Sequence, residues 1–158
     1  MSDKPTPQPE KPKKPRTAQR KKARKLVLQA LYQRHISGAS MAQIEAEFRA
    51  DNDFAKIDAD YFTELFGHIP KEITELDQQI EPFLDRPIGD VDPIEINVLR
   101  MGVYEFKHRL DVPYRVVINE AIELAKQFGG SDGHKYVNGI LDKLSLRLRA
   151  AETRLPRS

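Results

Sequence analysis

Residues 112–144 read VPYRVVINEAIELAKQFGGSDGHKYVNGILDKL, and this stretch decides the fold class. Val117, Ala121, Leu124, Ala125 and Phe128 recur at the three- and four-residue spacing that lines one face of a helix. Pro113 suits the start of that helix, where a missing backbone N–H costs nothing. Gly129 and Gly130 end it, because a C-terminal cap favours a residue free to take positive φ. A second helix follows, capped by Ser131 or Asp132, with Val137, Ile140, Leu141, Leu144 and Leu148 facing inward. Gly139 within it costs about 1 kcal/mol against alanine, which predicts a close helix–helix approach at that point. The stretch is a helical hairpin.

The sequence before it continues the pattern. Asp92, Pro93 and Glu95 supply an N-cap, a first-turn proline and a capping-box carboxylate. The helix they open carries Ile94, Ile96, Val98, Leu99, Met101, Val103, Tyr104 and Phe106, so it is apolar on nearly every side and should be the central element. From Asp58 to Leu84, the positions Tyr61, Leu65, Ile69, Ile73, Leu76, Ile80 and Phe83 form a helical stripe, with a kink or break expected at Pro70. Ser40 and Gln43 make a capping-box pattern for a short helix running to about Phe48. Thr17 is the expected N-cap of the first helix, whose apolar face is Ala23, Leu26, Val27, Ala30 and Leu31. No segment alternates as a strand does. The expected fold is all-α, with a body at 17–149, a disordered Lys/Pro-rich tail at 1–16 and a short tail at 150–158.

Charge is divided unevenly along the chain. Residues 1–34 hold eleven Lys or Arg against two Asp or Glu, a net +9, while the remainder is −7 and the total only +2. The basic end should attract a polyanion. Proline-spaced lysines in the tail read as solvated charge, but Arg20, Lys21, Lys22, Arg24 and Lys25 share a helix with an apolar face. Cations in the first turns oppose the helix dipole at about 0.3–1 kcal/mol each, so an anion is expected beside them. There is no cysteine, which excludes disulfides and thiolate metal sites. No apolar run approaches the roughly 20 residues of a membrane span, and the first residues lack the apolar core of a signal peptide. Cytoplasmic location is the expectation.

Catalytic chemistry is poorly supported. His35, His68, His108 and His134 are far apart and lack zinc-site spacing. GGSDGHK at 129–135 lacks the spacing of a phosphate-binding loop, and it follows a helix. Asp51 and Asp53 begin like a calcium loop, but Lys56 and Phe62 stand where its glycine and glutamate belong. No enzyme, cofactor or metal is implied. Recognition is better served. The basic helix offers phosphate contacts, Gln29 and Gln33 offer base-edge hydrogen bonds or ordinary surface, and Phe128, Lys135 and Tyr136 combine aromatic faces with a cation. Such a set suits unstacked single-stranded bases, although Phe128 also lies on the inner stripe and fits the core better than a site, and Tyr136 fits either.

Three blocks carry a resemblance. RKKARKLVLQALYQ at 20–33, EINVLRMGVYEF at 95–106, and VINEAIELAK followed by HKYVNGILDKL within 117–144 resemble, in order and spacing, the NusB family of bacterial transcription antitermination factors. The resemblance covers about Thr17 to Leu148 and implies two packed three-helix subdomains. It implies binding of the single-stranded RNA element boxA in ribosomal RNA transcripts, jointly with NusE, a small-subunit ribosomal protein, within an RNA polymerase antitermination complex. By the same resemblance, Arg20, Lys21, Lys22, Arg24, Gln29, Phe128, Asp132, Lys135 and Tyr136 would face RNA, and Tyr32 and Glu95 the partner. Departures are the long tail and Pro70. The helical body also resembles the N-terminal part of certain ribosomal RNA cytosine methyltransferases. Without a catalytic cysteine or a Gly-rich cofactor domain before Ser158, methyl transfer is not expected. A generic polyanion-binding helical protein is the remaining alternative.

Overall fold

The computed structural model describes residues 15–154, and among these there is no strand. Eight helices follow in order: α1 (Pro15–Ser37), α2 (Met41–Asp51), α3 (Ala59–His68), α4 (Ile73–Ile80), α5 (Pro93–His108), α6 (Tyr114–Phe128), α7 (Gly133–Leu148) and the single turn α8 (Ala150–Thr153). The all-α expectation holds. Helix α1 begins at Pro15, two residues before the expected Thr17 cap, and residues 150–153 form a helix where a tail was expected. The expected disorder of the first fourteen residues lies outside the described residues.

Helices α1, α2 and α3 pack as one group and α5, α6 and α7 as another; α4 packs on α5 and α7, and α1 packs on α5 and joins the two groups. In the first group the rings of Phe48, Phe54 and Phe66 surround Phe62, with centroids 5.0–6.4 Å away. Pro70 breaks the long stripe as expected: α3 stops at His68, Ile69–Lys71 tighten into a 3-10 turn, and α4 restarts at Ile73. Caps agree at Ser40, whose side chain accepts from Gln43 N, and at Asp92, which accepts from Ile94 N and Glu95 N. Such caps satisfy amide groups that the first helical turn leaves without partners.

Helix α5 is the centre of the molecule. Every residue from Ile96 to Phe106 is buried, including three polar ones. Each has a partner: Asn97 donates to Pro93 O, Arg100 forks onto Asp77 at 2.9 and 3.0 Å, and Glu105 accepts from Arg24 and Tyr61. At its C-terminal end Arg149 donates to the carbonyls of Glu105, Phe106 and Arg109; Glu105 and Arg109 also accept from the backbone N–H groups of Arg109 and Val112, so the guanidinium adds a second donor to each and joins them to Phe106. Glu152 of α8 accepts from the Tyr114 backbone N–H and ties α6 to the same point.

The glycines depart from expectation. A Cβ on Gly139 would meet nothing within 4 Å, so no close helix approach requires it. The close approach is at Gly102 of α5, where a Cβ would lie 2.9 Å from Leu141 Cδ2. Gly129 has φ −94 and not a positive value. It is required because a Cβ there would sit 2.7 Å from the Ala125 carbonyl oxygen. Asp132 occupies the N-cap position of α7, but its side chain makes no cap bond.

Candidate nucleic-acid interface

The five clustered cations of α1 have three different fates. Arg24, expected to face RNA, is buried: 3% of its surface is exposed. Its Nε and Nη2 each donate to the Glu105 carboxylate at 2.9 Å, and the Tyr61 hydroxyl donates to the same carboxylate at 2.7 Å. Burial works against the Arg24 charge, but the Glu105 carboxylate outweighs it and raises the pKa. Burial, followed by the field of Glu105, pushes the Tyr61 hydroxyl up as well. The apolar stripe on which Arg24 intrudes is ordinary core, and its charge is answered from α5.

Arg20 and Lys21 are half-committed. Arg20 pairs with Asp58 at 3.4 Å and lies 4.3 Å over the Tyr61 ring, at one wall of a cleft with Arg16 and Val116. Lys21 pairs with Glu120 and Glu123 of α6, and the hydrogen bond it donates to Glu123 leads the rise in its pKa. The anion expected beside the basic first turns is therefore supplied largely by the protein itself, through Asp58, Glu105, Glu120 and Glu123. Lys22 and Lys25 differ: neither forms an ion pair among the described residues. Lys22 is exposed, and Lys25 reaches over the half-buried Phe128 ring, 5.9 Å from its centroid.

Phe128 leads into a second cluster at the hairpin turn. Gly129 abuts Ile94, and Gly133 packs against the Glu95 side chain, where a Cβ would meet Cδ at 3.3 Å. Glu95 is half-buried, and burial, then the neighbouring Asp92 charge, raises its pKa. One turn into α7, Tyr136 donates to Asp85 Oδ1 at 2.9 Å, with the Arg86 guanidinium 4.7 Å from its ring centroid. Asp85 in turn accepts two hydrogen bonds from Arg86 at 2.7 and 3.1 Å. These bonds, Arg86 first and Tyr136 second, hold the Asp85 carboxyl down at about 2. Asp132 and Lys135 face solvent and pair loosely at 3.5 Å. Lys25 belongs to the basic cluster read from the sequence, though not to the residues that the resemblance turns toward RNA; Asp85 and Arg86 were not expected at the site at all. An Asp-Arg pair in a linker carries no periodic signal, and only the fold brings it to Tyr136.

A third area lies farther along α1. Gln29, Tyr32, Gln33, Ile36 and Phe48 line an open groove of about 460 Å³ between α1 and α2. Tyr32 is 40% and Ile36 61% exposed, while Gln33 donates to Glu47 and is already engaged. Gln29 thus sits with Tyr32, although it follows Lys22 and Lys25 at helical spacing, seven and four residues on. His35 Nδ1 lies 3.5 Å from Asn97 Nδ2, which sets this end of α1 against the first turns of α5, where Glu95 lies. Tyr32 and Glu95 share no hydrogen bond among the described residues. The surface as built can hold anionic, unstacked polymer along Lys22, Lys25 and Phe128, and an apolar protein segment along Tyr32 and Ile36.

Comparison with known proteins gives this surface a context. A model described as the NusB family matches residues 21–146. The transcription antitermination protein NusB of Marinobacter nauticus is 57% identical over 149 residues, spanning 94% of this chain and 94% of that protein. Its counterpart from Hahella chejuensis is 55% identical over 139 residues, spanning 88% and 93%. Among solved structures, T. maritima NusB matches with a TM-score of 0.63 and 28% identity over 85% of this chain and 96% of that one. A family match over most of the body, relatives above half identity across nearly full length, and a shared fold have one reading: this chain belongs to the NusB family.

Proposed function

We propose that the chain acts in transcription antitermination by binding boxA-type single-stranded RNA together with NusE, as part of an RNA polymerase antitermination complex in the bacterial cytoplasm. Relatives sharing more than half its sequence bear the name transcription antitermination protein, which supports the role. The observation that carries the RNA half is the pair of lysines without ion pairs among the described residues, Lys22 and Lys25, the second of which adjoins the Phe128 ring. Phosphates are attracted by the lysines, and unstacked bases by aromatic faces at Phe128 and Tyr136. Asp132 and Lys135 would border that surface, Arg20 and Lys21 would add long-range attraction, and Gln29 would contribute where the RNA and partner surfaces meet. Arg24 is assigned a structural role. Tyr32 and Glu95 are the proposed partner contacts, with the groove beside Tyr32 as the apolar part.

The test is a titration of boxA-like and scrambled RNA, with and without NusE, against wild type and Tyr32→Asp. Wild type should discriminate between the RNAs, more strongly with NusE. Tyr32→Asp should remain folded, bind NusE weakly and lose that enhancement, because an ion is placed where an aromatic ring is to be covered. Equal binding of both RNAs in the presence of NusE would instead support a generic polyanion binder.

A further inference from the structure

Two side chains that belong to neither the basic helix nor the helical hairpin stand at the RNA-facing aromatic residue. Asp85 and Arg86 lie in the connector between α4 and α5, yet both reach Tyr136 of α7: Asp85 accepts its hydroxyl proton and Arg86 covers its ring. They also bind one another through two hydrogen bonds. The side chains are 62% and 44% exposed, so this is an ion pair in contact with water and not a buried lock. Exposed pairs of this kind are weak and open readily. A guanidinium on an aromatic face is well suited to nucleic acid, since it can turn its edge to a phosphate while the ring takes a base.

We propose that Arg86 is a further RNA contact and that Asp85 is its internal competitor, occupying the guanidinium edge that an RNA phosphate takes when a base reaches Tyr136. The inference rests on the RNA-binding reading above. Asp85 has two roles with opposite effects. Its hydrogen bond orients the Tyr136 ring, which favours binding, and its charge occupies Arg86, which opposes it. Asparagine removes the charge while its side-chain oxygen still accepts from the Tyr136 hydroxyl; that oxygen also faces Arg86 Nε, so the bond given up is the one to Arg86 Nη2. No other carboxylate lies within ion-pair distance of Arg86 among the described residues, and Glu95 acts on it only at longer range, so removal of the Asp85 charge frees the Nη2 edge of the guanidinium.

The test is a double-mutant cycle on the full chain with Asp85→Asn, Arg86→Ala and the double variant, titrated with boxA-like RNA over a range of salt. Asp85→Asn should bind about two- to fivefold more tightly, the range a single exposed ion pair commands. Arg86→Ala should bind more weakly and lower the single-strand salt slope by about 0.7, one phosphate contact. In the Arg86→Ala background the Asp85→Asn gain should vanish. A gain that survives without Arg86 would mean that Asp85 merely repels RNA at large, and the inference fails. It also fails if wild type discriminates between RNAs but neither substitution alters binding, which leaves the functional reading intact. A wild type that does not bind boxA-like RNA overturns both. Thermal midpoints control for folding, and binding to the proposed ribosomal-protein partner without RNA should be unchanged. A change confined to that binding would place the pair in the protein interface and overturn the assignment.

Discussion

Replacing Arg24 with alanine should unfold the protein at a much lower temperature and leave RNA recognition in the folded molecule nearly intact. Arg24 is 3% exposed, and Glu105, its partner, equally so. Without it, Glu105 keeps only the Tyr61 hydroxyl as a direct donor among the hydrogen bonds of the described residues. Breaking a buried ion pair from one side costs about 3–5 kcal/mol, because the remaining charge stays buried without compensation. For a body of this size that corresponds to a fall of about 10–15 °C in thermal midpoint. The triple variant Arg24→Met, Glu105→Leu, Tyr61→Phe removes the whole polar group and should recover most of the loss, since an apolar replacement of similar volume is often neutral or better. Calorimetry or circular dichroism gives the midpoints, and RNA titration well below them gives the affinities. An Arg24→Ala protein that melts with wild type and binds RNA poorly would refute the reasoning, because it would mean that the side chain works at the surface.

Two other predictions separate surface from core. Lys22→Ala and Lys25→Ala should each weaken boxA-like and scrambled RNA alike and lower the salt slope by about 0.7, whereas Lys21→Ala, whose charge Glu120 and Glu123 already answer, should change the slope less; a salt titration decides. Gly102→Ala should destabilise by about 1–3 kcal/mol through overpacking on Leu141, while Gly139→Ala, with open space around it, should stabilise by about 0.5–1 kcal/mol; urea denaturation measures both.

Helix positions were readable because they rest on local chemistry. Pro70 cannot continue a helix wherever it lies, and Asp92 followed by Pro93 satisfies a first turn without help from the rest of the chain. The destinations of side chains depend on partners distant in sequence. Arg24 and Lys25 are adjacent cations on one helix; what separates them is that Glu105, 81 residues on, lies beneath the first. Gly102 and Gly139 are both helix-interior glycines, and only the packing of α5 on α7 shows which is required. Tyr136 was visible as a candidate, but Asp85, 51 residues earlier, came to it through the fold. The resemblance supplied the family, and no amount of periodicity would have done so.

The basic helix is also the wall of the core. Lys22 and Lys25 stand on α1 beside Ala23, Leu26 and Val27, which are buried and pack against α3 and α5. Backbone amides beneath Lys22 and Lys25 should therefore exchange with solvent only when the whole body opens, at the slowest rates in the molecule. A surface of this kind is preorganised: if the proposed RNA binds there, the ordering entropy of association falls on the flexible nucleotide strand and not on the protein. RNA that binds only the native state would then raise the opening energy of the entire domain by mass action, so exchange should slow even in α3, which carries none of the proposed RNA contacts, without any change of shape.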